Sequence, residues 1–319
     1  MDNSSLYNLT SKNTTLTGVA LWSSYQTSFT AWFTIGLLSS FSFGSFNLLC
    51  LLMICRTPTL RTGAGILIGH MLLIETLMSL ILLPVLMTFV FIHLSSILTC
   101  RIVQFIFAMV NIAVYYNILI LAINRFVAII FPYHYRQLTQ SRWIMFFISF
   151  IWLASFSINI PMELNGGVGH YGVERVWGGC TPTLIKPGQF DYRIVHAWLG
   201  SYVPLVLSGI LYILIQVKAW LKSFRRHVTP AETAASAARK TRRFRQKMNM
   251  SYLLLFSFLA YCVCFLCHPL IARSFPKLLS LYPMILQWMT ILFTWGYAVH
   301  SVSEYSTINK RPSVRSEAQ

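Results

Sequence analysis

Acidic side chains are the scarcest chemistry in this chain. Its 319 residues hold eight Asp and Glu against twenty-five Lys and Arg, and charged residues of both signs make up only 10%. A soluble domain carries about 25% charged residues on its surface, so one soluble core is excluded. An intramembrane enzyme would need converging acids and histidines, yet the eight histidines are scattered over loops and rims without paired ligand spacing. Cys262, Cys264 and Cys267 have no loop histidines at finger spacing and read as small helix-packing residues rather than a metal site. The internal repeat that many transporters carry is also missing. Residues 1 to 28 contain no basic stretch followed by an apolar one, so the first membrane span is expected to act as the targeting signal.

Apolar residues are abundant: 56% of the chain, with a mean hydropathy of +0.62. This is the composition of a polytopic membrane protein embedded in a lipid bilayer. Seven apolar stretches of spanning length are predicted, about 30 to 55, 64 to 92, 101 to 131, 143 to 163, 194 to 220, 248 to 272 and 282 to 304. With the amino terminus outside, the inner segments hold eighteen basic residues and the outer segments seven, the positive-inside bias expected of that orientation. The net charge of +17 therefore reflects topology, and no nucleic-acid partner is expected. Three acceptor sequons, at Asn3, Asn8 and Asn13, also favour an outside amino terminus. The expected domains are a glycosylated outer tail (1 to 28), an all-α seven-helix bundle (29 to 305) and a cytoplasmic tail (306 to 319). The outer loop 164 to 193, rich in Gly and Pro, is expected to form an irregular lid. The basic inner loop 221 to 247 is expected to extend the fifth and sixth helices into the cytosol.

The third stretch carries a chemical handle at each end. Cys100 and Arg125 are twenty-five residues apart, about 37 Å along a helix, which exceeds the hydrocarbon core of about 30 Å. Five other cysteines fall in or at the ends of spans, so elimination leaves Cys100 and Cys180 as a disulfide tying the outer loop to this helix. Arg125 would face a cytosolic partner, or simply snorkel to lipid phosphate. Glu75 is the only acid well inside a predicted span, which makes it a functional candidate by default. The ordinary alternative is a protonated Glu satisfied by its neighbours.

Asn47 in the first span, Leu72-Leu73-Ile74-Glu75 in the second, Cys100 and Asn124-Arg125-Phe126 in the third, and Trp152 in the fourth form a jointly spaced set. Pro204 with Tyr212, Pro269 and Cys180 complete it. Across all seven spans the chain resembles a rhodopsin-like (class A) G-protein-coupled receptor. Three features depart from that family: Asn124 replaces the acid before the arginine, Leu266-Cys267-His268-Pro269 replaces the aromatic toggle, and the seventh span has no Asn-Pro-x-x-Tyr. With Ile-Asn-Arg-Phe-Val-Ala-Ile-Ile-Phe-Pro in the third span and Trp295 before Val299-His300, this pattern is similar to nematode chemosensory serpentine receptors of the class X type.

The resemblance implies a plasma-membrane receptor, not an enzyme. An extracellular ligand, a chemosensory small molecule or a peptide, would activate a heterotrimeric G protein through Asn124, Arg125, Phe126 and Tyr212. Pro269 would act as the pivot of an outward swing of the sixth helix. Without an acid beside Arg125, the inner lock is expected to be weak and basal activity raised. Glu75 and Asn47 would stand where a sodium ion or water network is held, although Val114 replaces a polar partner there; no other cofactor is expected. The seventh span lacks the lysine of an opsin, and Phe107 stands where amine receptors carry an aspartate. Expected pocket residues are Gln104, Phe107, Ala108 and Asn111 on the third helix, facing His268, Gln287 and Trp288, with packing as the ordinary role of the aromatics. The competing readings are a seven-helix ligand-binding protein without coupling, and a transporter.

Overall fold

A computed structural model describes residues 3–58, 63–92, 96–163, 170–173, 180–183, 192–226, 252, 255–267, 271 and 284–309. The side chains of residues 3–24, 170–173, 180–183, 222–226 and 299–309 lie outside the description. Helix α1 runs Asn3–Arg56, and α2 runs Ala64–Leu77. A π-helical turn, Met78–Leu82, joins α2 to α3 (Leu83–Phe91). Next come α4 (Ile97–Ile130), the short α5 (Pro132–Leu138) and α6 (Ser141–Glu163). After a hairpin, α7 (Tyr192–Ala197) continues through a π turn, Trp198–Tyr202, into α8 (Val203–Arg226). Helices α9 (Leu255–Cys267) and α10 (Ile285–Asn309) complete the bundle.

The first five apolar stretches appear as helices long and apolar enough to cross a membrane: Tyr25–Arg56, Gly65–Phe91, Leu98–Ile130, Ser141–Glu163 and Tyr192–Lys218. Backbone groups in hydrocarbon have no water to bond with, so each span closes its own hydrogen bonds as a helix. The sixth and seventh stretches appear as α9 and α10. The two π turns fall just before Pro84 and Pro204. A proline lacks an N–H and its ring crowds the carbonyl four residues earlier; one widened turn absorbs both defects without breaking the span.

Two elements differ from the sequence expectation. Helix α1 extends back through the Ser/Thr/Asn-rich residues read as a tail, a segment without proline. The outer loop contains two strands, β1 (His170–Val173) and β2 (Cys180–Thr183), paired antiparallel with Val173 opposite Cys180. Within the loop expected to be an irregular lid, the described residues thus form two paired strands. Helix α5 was not anticipated either. Pro132 sits at its first turn, where a missing N–H costs nothing.

Helix α4 is the axis of the molecule, lying against α2, α6, α8 and the hairpin. Its buried side chains Val110, Ala113, Val114, Ile118, Leu121 and Ala122 follow the helical spacing of an inward stripe. Helix α1 packs on α2, α3 and α10. Gly44 permits that approach, because a Cβ there would stand 2.5 Å from Leu80 Cδ2 and 3.1 Å from Ser79 Cβ.

Candidate functional site

At the inner end of the bundle, α4 presents Asn124, Arg125 and Phe126. Asn124 is buried, and its Nδ2 makes no hydrogen bond among the described residues. Arg125 is half-buried and its Nη2 is closed to solvent. Phe126 meets Phe131 edge to face at 6.2 Å. Across from them Tyr212 on α8 is buried, its ring 5.3 Å from Phe258 of α9. Lys218 of α8 donates to the carbonyl of Ile130 at 3.3 Å. An ammonium at the carboxyl end of a helix interacts favourably with its dipole, so this bond ties the third and fifth spans at the inner rim.

Midway through the bundle, Asn47 and Glu75 are both fully buried, on the packed helices α1 and α2. Both amide atoms of Asn47 and the hydroxyl of Ser79 lack a hydrogen bond among the described residues. Val114 is fully buried on α4. The helix of Glu75, α2, packs on α1 and α4, with a smaller contact to α10. Among the described residues no group of three His, Cys, Asp or Glu converges as a metal site.

A second, partly buried polar node was not legible in the sequence. Trp152 Nε1 donates to His70 Nε2 at 3.0 Å, and the Asn117 amide stands 3.2 Å from His70 Nδ1. An indole can only donate, so Nε2 is the acceptor and the ring proton sits on Nδ1. That N–H needs an acceptor, which the Asn117 amide oxygen supplies when it faces the ring. A neutral histidine thus joins the second, third and fourth spans. Its three members lie 47 and 82 residues apart along the chain, a separation with no local signature.

Toward the outer side, the expected pocket residues do not gather on one wall. Asn111 accepts a hydrogen bond from Tyr297 at 3.1 Å. Phe107 packs against the main core, whereas Ala108 is buried against Met162 beside Phe105 and Tyr192. Gln104 is half-buried and Gln287 buried, and the Gln287 carbonyl accepts from Thr290. Trp288 turns to the first helix, donating to Ser28 at 3.3 Å, next to the bond from Trp32 to Thr290 at 3.2 Å. Trp32, with Phe29, Phe33 and Phe91, packs between α1, α3 and α10, while Trp288 is exposed. His268 and Pro269 lie outside the described residues.

A rim of polar ties surrounds this outer end. Arg101 pairs with Glu163 at 3.0 Å and also donates to its carbonyl at 2.9 Å, clamping α4 to α6 beside Cys100. His196 is 2.9 Å from Asn159 Oδ1, and Tyr192 donates to the Ile158 carbonyl at 3.1 Å, both joining α7 to α6. Cys100 is disulfide-bonded, and Cys50, Cys55, Cys262, Cys264 and Cys267 are not in disulfides. The side chain of Cys180 lies outside the description, but its strand runs beside α4.

Below the outer end lies an aromatic layer that sequence reasoning also missed. Phe265 stacks on Tyr261 at 4.0 Å and stands 5.1 Å from both Phe293 and Tyr297, with Tyr115 5.9 Å away. The toggle position is replaced as the sequence indicated, yet Phe265 puts a buried ring two residues before Cys267. The spacing of Phe258, Tyr261 and Phe265 was the available signal.

The fold is that of a solved structure. Squid rhodopsin, as seen in its crystal structure, is 17% identical, with a TM-score of 0.65 over 86% of this chain and 77% of that one. No curated protein sequence matches. The family model described as 7 transmembrane receptor (rhodopsin family) matches residues 46–303. By that match, and with the helix bundle just described, the chain belongs to the rhodopsin family of seven-transmembrane receptors.

Proposed function

We propose that the chain is a plasma-membrane chemosensory receptor that binds a small molecule or peptide from outside and activates a heterotrimeric G protein through the inner end of α4. The observation that carries this reading is Arg125. A cation at the rim of a membrane helix reaches for phosphate unless the bundle offers something better, and here its Nη2 is closed to solvent. An outward swing of α9 about Pro269 would expose the guanidinium, with Asn124 and Phe126, to the carboxyl-terminal helix of a G protein. Asn124 supplies no carboxylate to restrain it, which favours ligand-free activity.

On the outer side, Gln104, Phe107, Ala108, Asn111, His268, Gln287 and Trp288 remain the pocket candidates. The bonded state of Cys100, with five of the other cysteines outside disulfides, supports a Cys100–Cys180 disulfide that holds the hairpin over the bundle. Glycans on Asn3, Asn8 and Asn13 would face outward. Near Glu75, the unbonded amide of Asn47 and hydroxyl of Ser79 are hard oxygen or amide groups that suit a sodium ion or ordered water.

The test is nucleotide exchange on purified G proteins by the ligand-free chain in lipid nanodiscs. Wild type accelerates exchange on at least one subtype, and Asn124→Asp, which places a carboxylate beside Arg125, lowers that rate about fivefold or more. Equal rates for the two would remove the weak-lock account. Absence of exchange on every subtype would remove the coupling reading.

A further inference from the structure

Cys262, Cys264 and Cys267 sit at the carboxyl end of α9, and their thiols take part in none of the contacts described above. Each is half-buried and none is in a disulfide, whereas their neighbours Tyr261 and Phe265 are buried. Helical spacing sorts the three. Cys264 and Cys267 are three residues apart and share a face, while Cys262 stands about 160° from one and about 140° from the other around the helix axis. Cys264 lies beside a bare stretch of the seventh span: a Cβ built on Gly296 would come within 3.1 Å of Cys264 Cβ.

We infer that Cys264 and Cys267 are a redox pair that a hydroperoxide closes into a disulfide, tightening the turn of α9 ahead of Pro269. The peroxide is small and neutral, and both thiols are partly open to it. One thiol attacks the O–O bond and loses its proton, giving a sulfenic acid and, from hydrogen peroxide, water. The second thiol displaces the sulfenic hydroxyl as a second water, and the S–S bond forms. The two sulfurs give up two electrons, the peroxide takes them, and both thiol protons leave in water. Residues three apart in an α-helix have Cα atoms about 5 Å apart, inside the disulfide range of about 4.4 to 6.8 Å. Their Cβ atoms are about 5 to 6 Å apart, whereas a disulfide holds them at about 3.5 to 4.5 Å. A 3₁₀ turn closes that difference, because it eclipses the side chains at i and i+3. The ladder is weakest here: Pro269 has no N–H to offer the carbonyl of Phe265, four residues earlier in the chain.

This inference goes beyond the receptor reading and needs neither ligand nor G protein. The full chain in lipid nanodiscs is treated with hydrogen peroxide, quenched, alkylated and mapped by mass. In wild type the fragment carrying Cys262 to Cys267 loses the mass of two hydrogens and keeps one alkylated thiol, and dithiothreitol restores all three. Cys55, an exposed thiol, reports that the peroxide is acting. Cys264→Ser and Cys267→Ser each abolish the loss and leave a sulfenic acid on the remaining partner, trapped by a 1,3-dione. Cys262→Ser behaves as wild type. The bridged fragment also takes up deuterium faster than the reduced one, since 3₁₀ hydrogen bonds have poorer geometry. Peroxide-treated Cys264→Ser shows no such rise.

An untouched fragment at a peroxide dose that oxidises Cys55 would overturn the pair. So would oxidation that stops at sulfinic acid on a single sulfur, or a bridge that includes Cys262. Bridge formation with deuterium uptake unchanged would overturn the tightening. If Cys264→Ser fails to fold, Cys264→Ala and Cys267→Ala carry the same comparison. A chain that activates no G protein would leave all of these readouts in force, so failure here and failure of the proposed function are told apart.

Discussion

A charged side chain inside a membrane is expensive, and that is why Arg125 and Glu75 were legible before any coordinates. A group that costs about 2.5 to 3.5 kcal/mol to insert stands out wherever an apolar run contains one. His70, Asn117 and Trp152 gave no such warning. Each is unremarked singly, and what makes them a node is a meeting of three spans that no local pattern encodes. Phe107 and Ala108 show the reverse failure: neighbours on one helix, they face different packing partners, so membership of one helix face did not make a shared pocket. The node makes its own prediction. Trp152→Phe keeps an aromatic ring but removes the indole donor to His70 Nε2, and the melting temperature of the chain in nanodiscs falls by the equivalent of about 0.6 to 2 kcal/mol. An unchanged melting temperature would mean that the bond is not made in the membrane.

Among the elements, the spans were read from length and hydropathy because a bilayer imposes both. The π turns were not, although each lies just ahead of a proline that the sequence displays. A proline inside a span announces a defect in the ladder but not how the helix absorbs it, and Pro161 sits inside α6 without one. The hairpin was hidden because glycines and prolines signal turns without saying what pairs between them. The packing of α1 on α2 and its π turn depends on absent side chains. Gly44→Val places branched atoms where Leu80 and Ser79 already stand, and overpacking of this kind costs about 1 to 3 kcal/mol. Surface delivery and melting temperature both fall for Gly44→Val, whereas Ser45→Val, at an exposed neighbouring position, leaves both near wild type. Equal behaviour of the two variants would show that α1 does not approach α2 this closely.

For the whole molecule, the sequence indicated seven spans, an outer cysteine tie and an inner arginine, and membership of the rhodopsin family follows from the match over residues 46–303. What it could not indicate is how the ends communicate. In the fold, α4 carries the outer clamp of Arg101, the central link of Asn111, the node of Asn117 and the inner Arg125 on one continuous helix. The second, fourth, fifth and seventh spans are bonded to it at different depths, so a change at the outer end has one continuous helix to act upon. Phe265 provides a buried ring two residues before Cys267, where the usual toggle is missing. The most direct measurement compares ligand-free G-protein dissociation for wild type and Arg125→Ala in cells, at matched surface expression, across a panel of sensors covering the G-protein subtypes. The account predicts a basal signal from wild type on at least one sensor and its loss in the variant. An equal signal from both, or none from either, would contradict it.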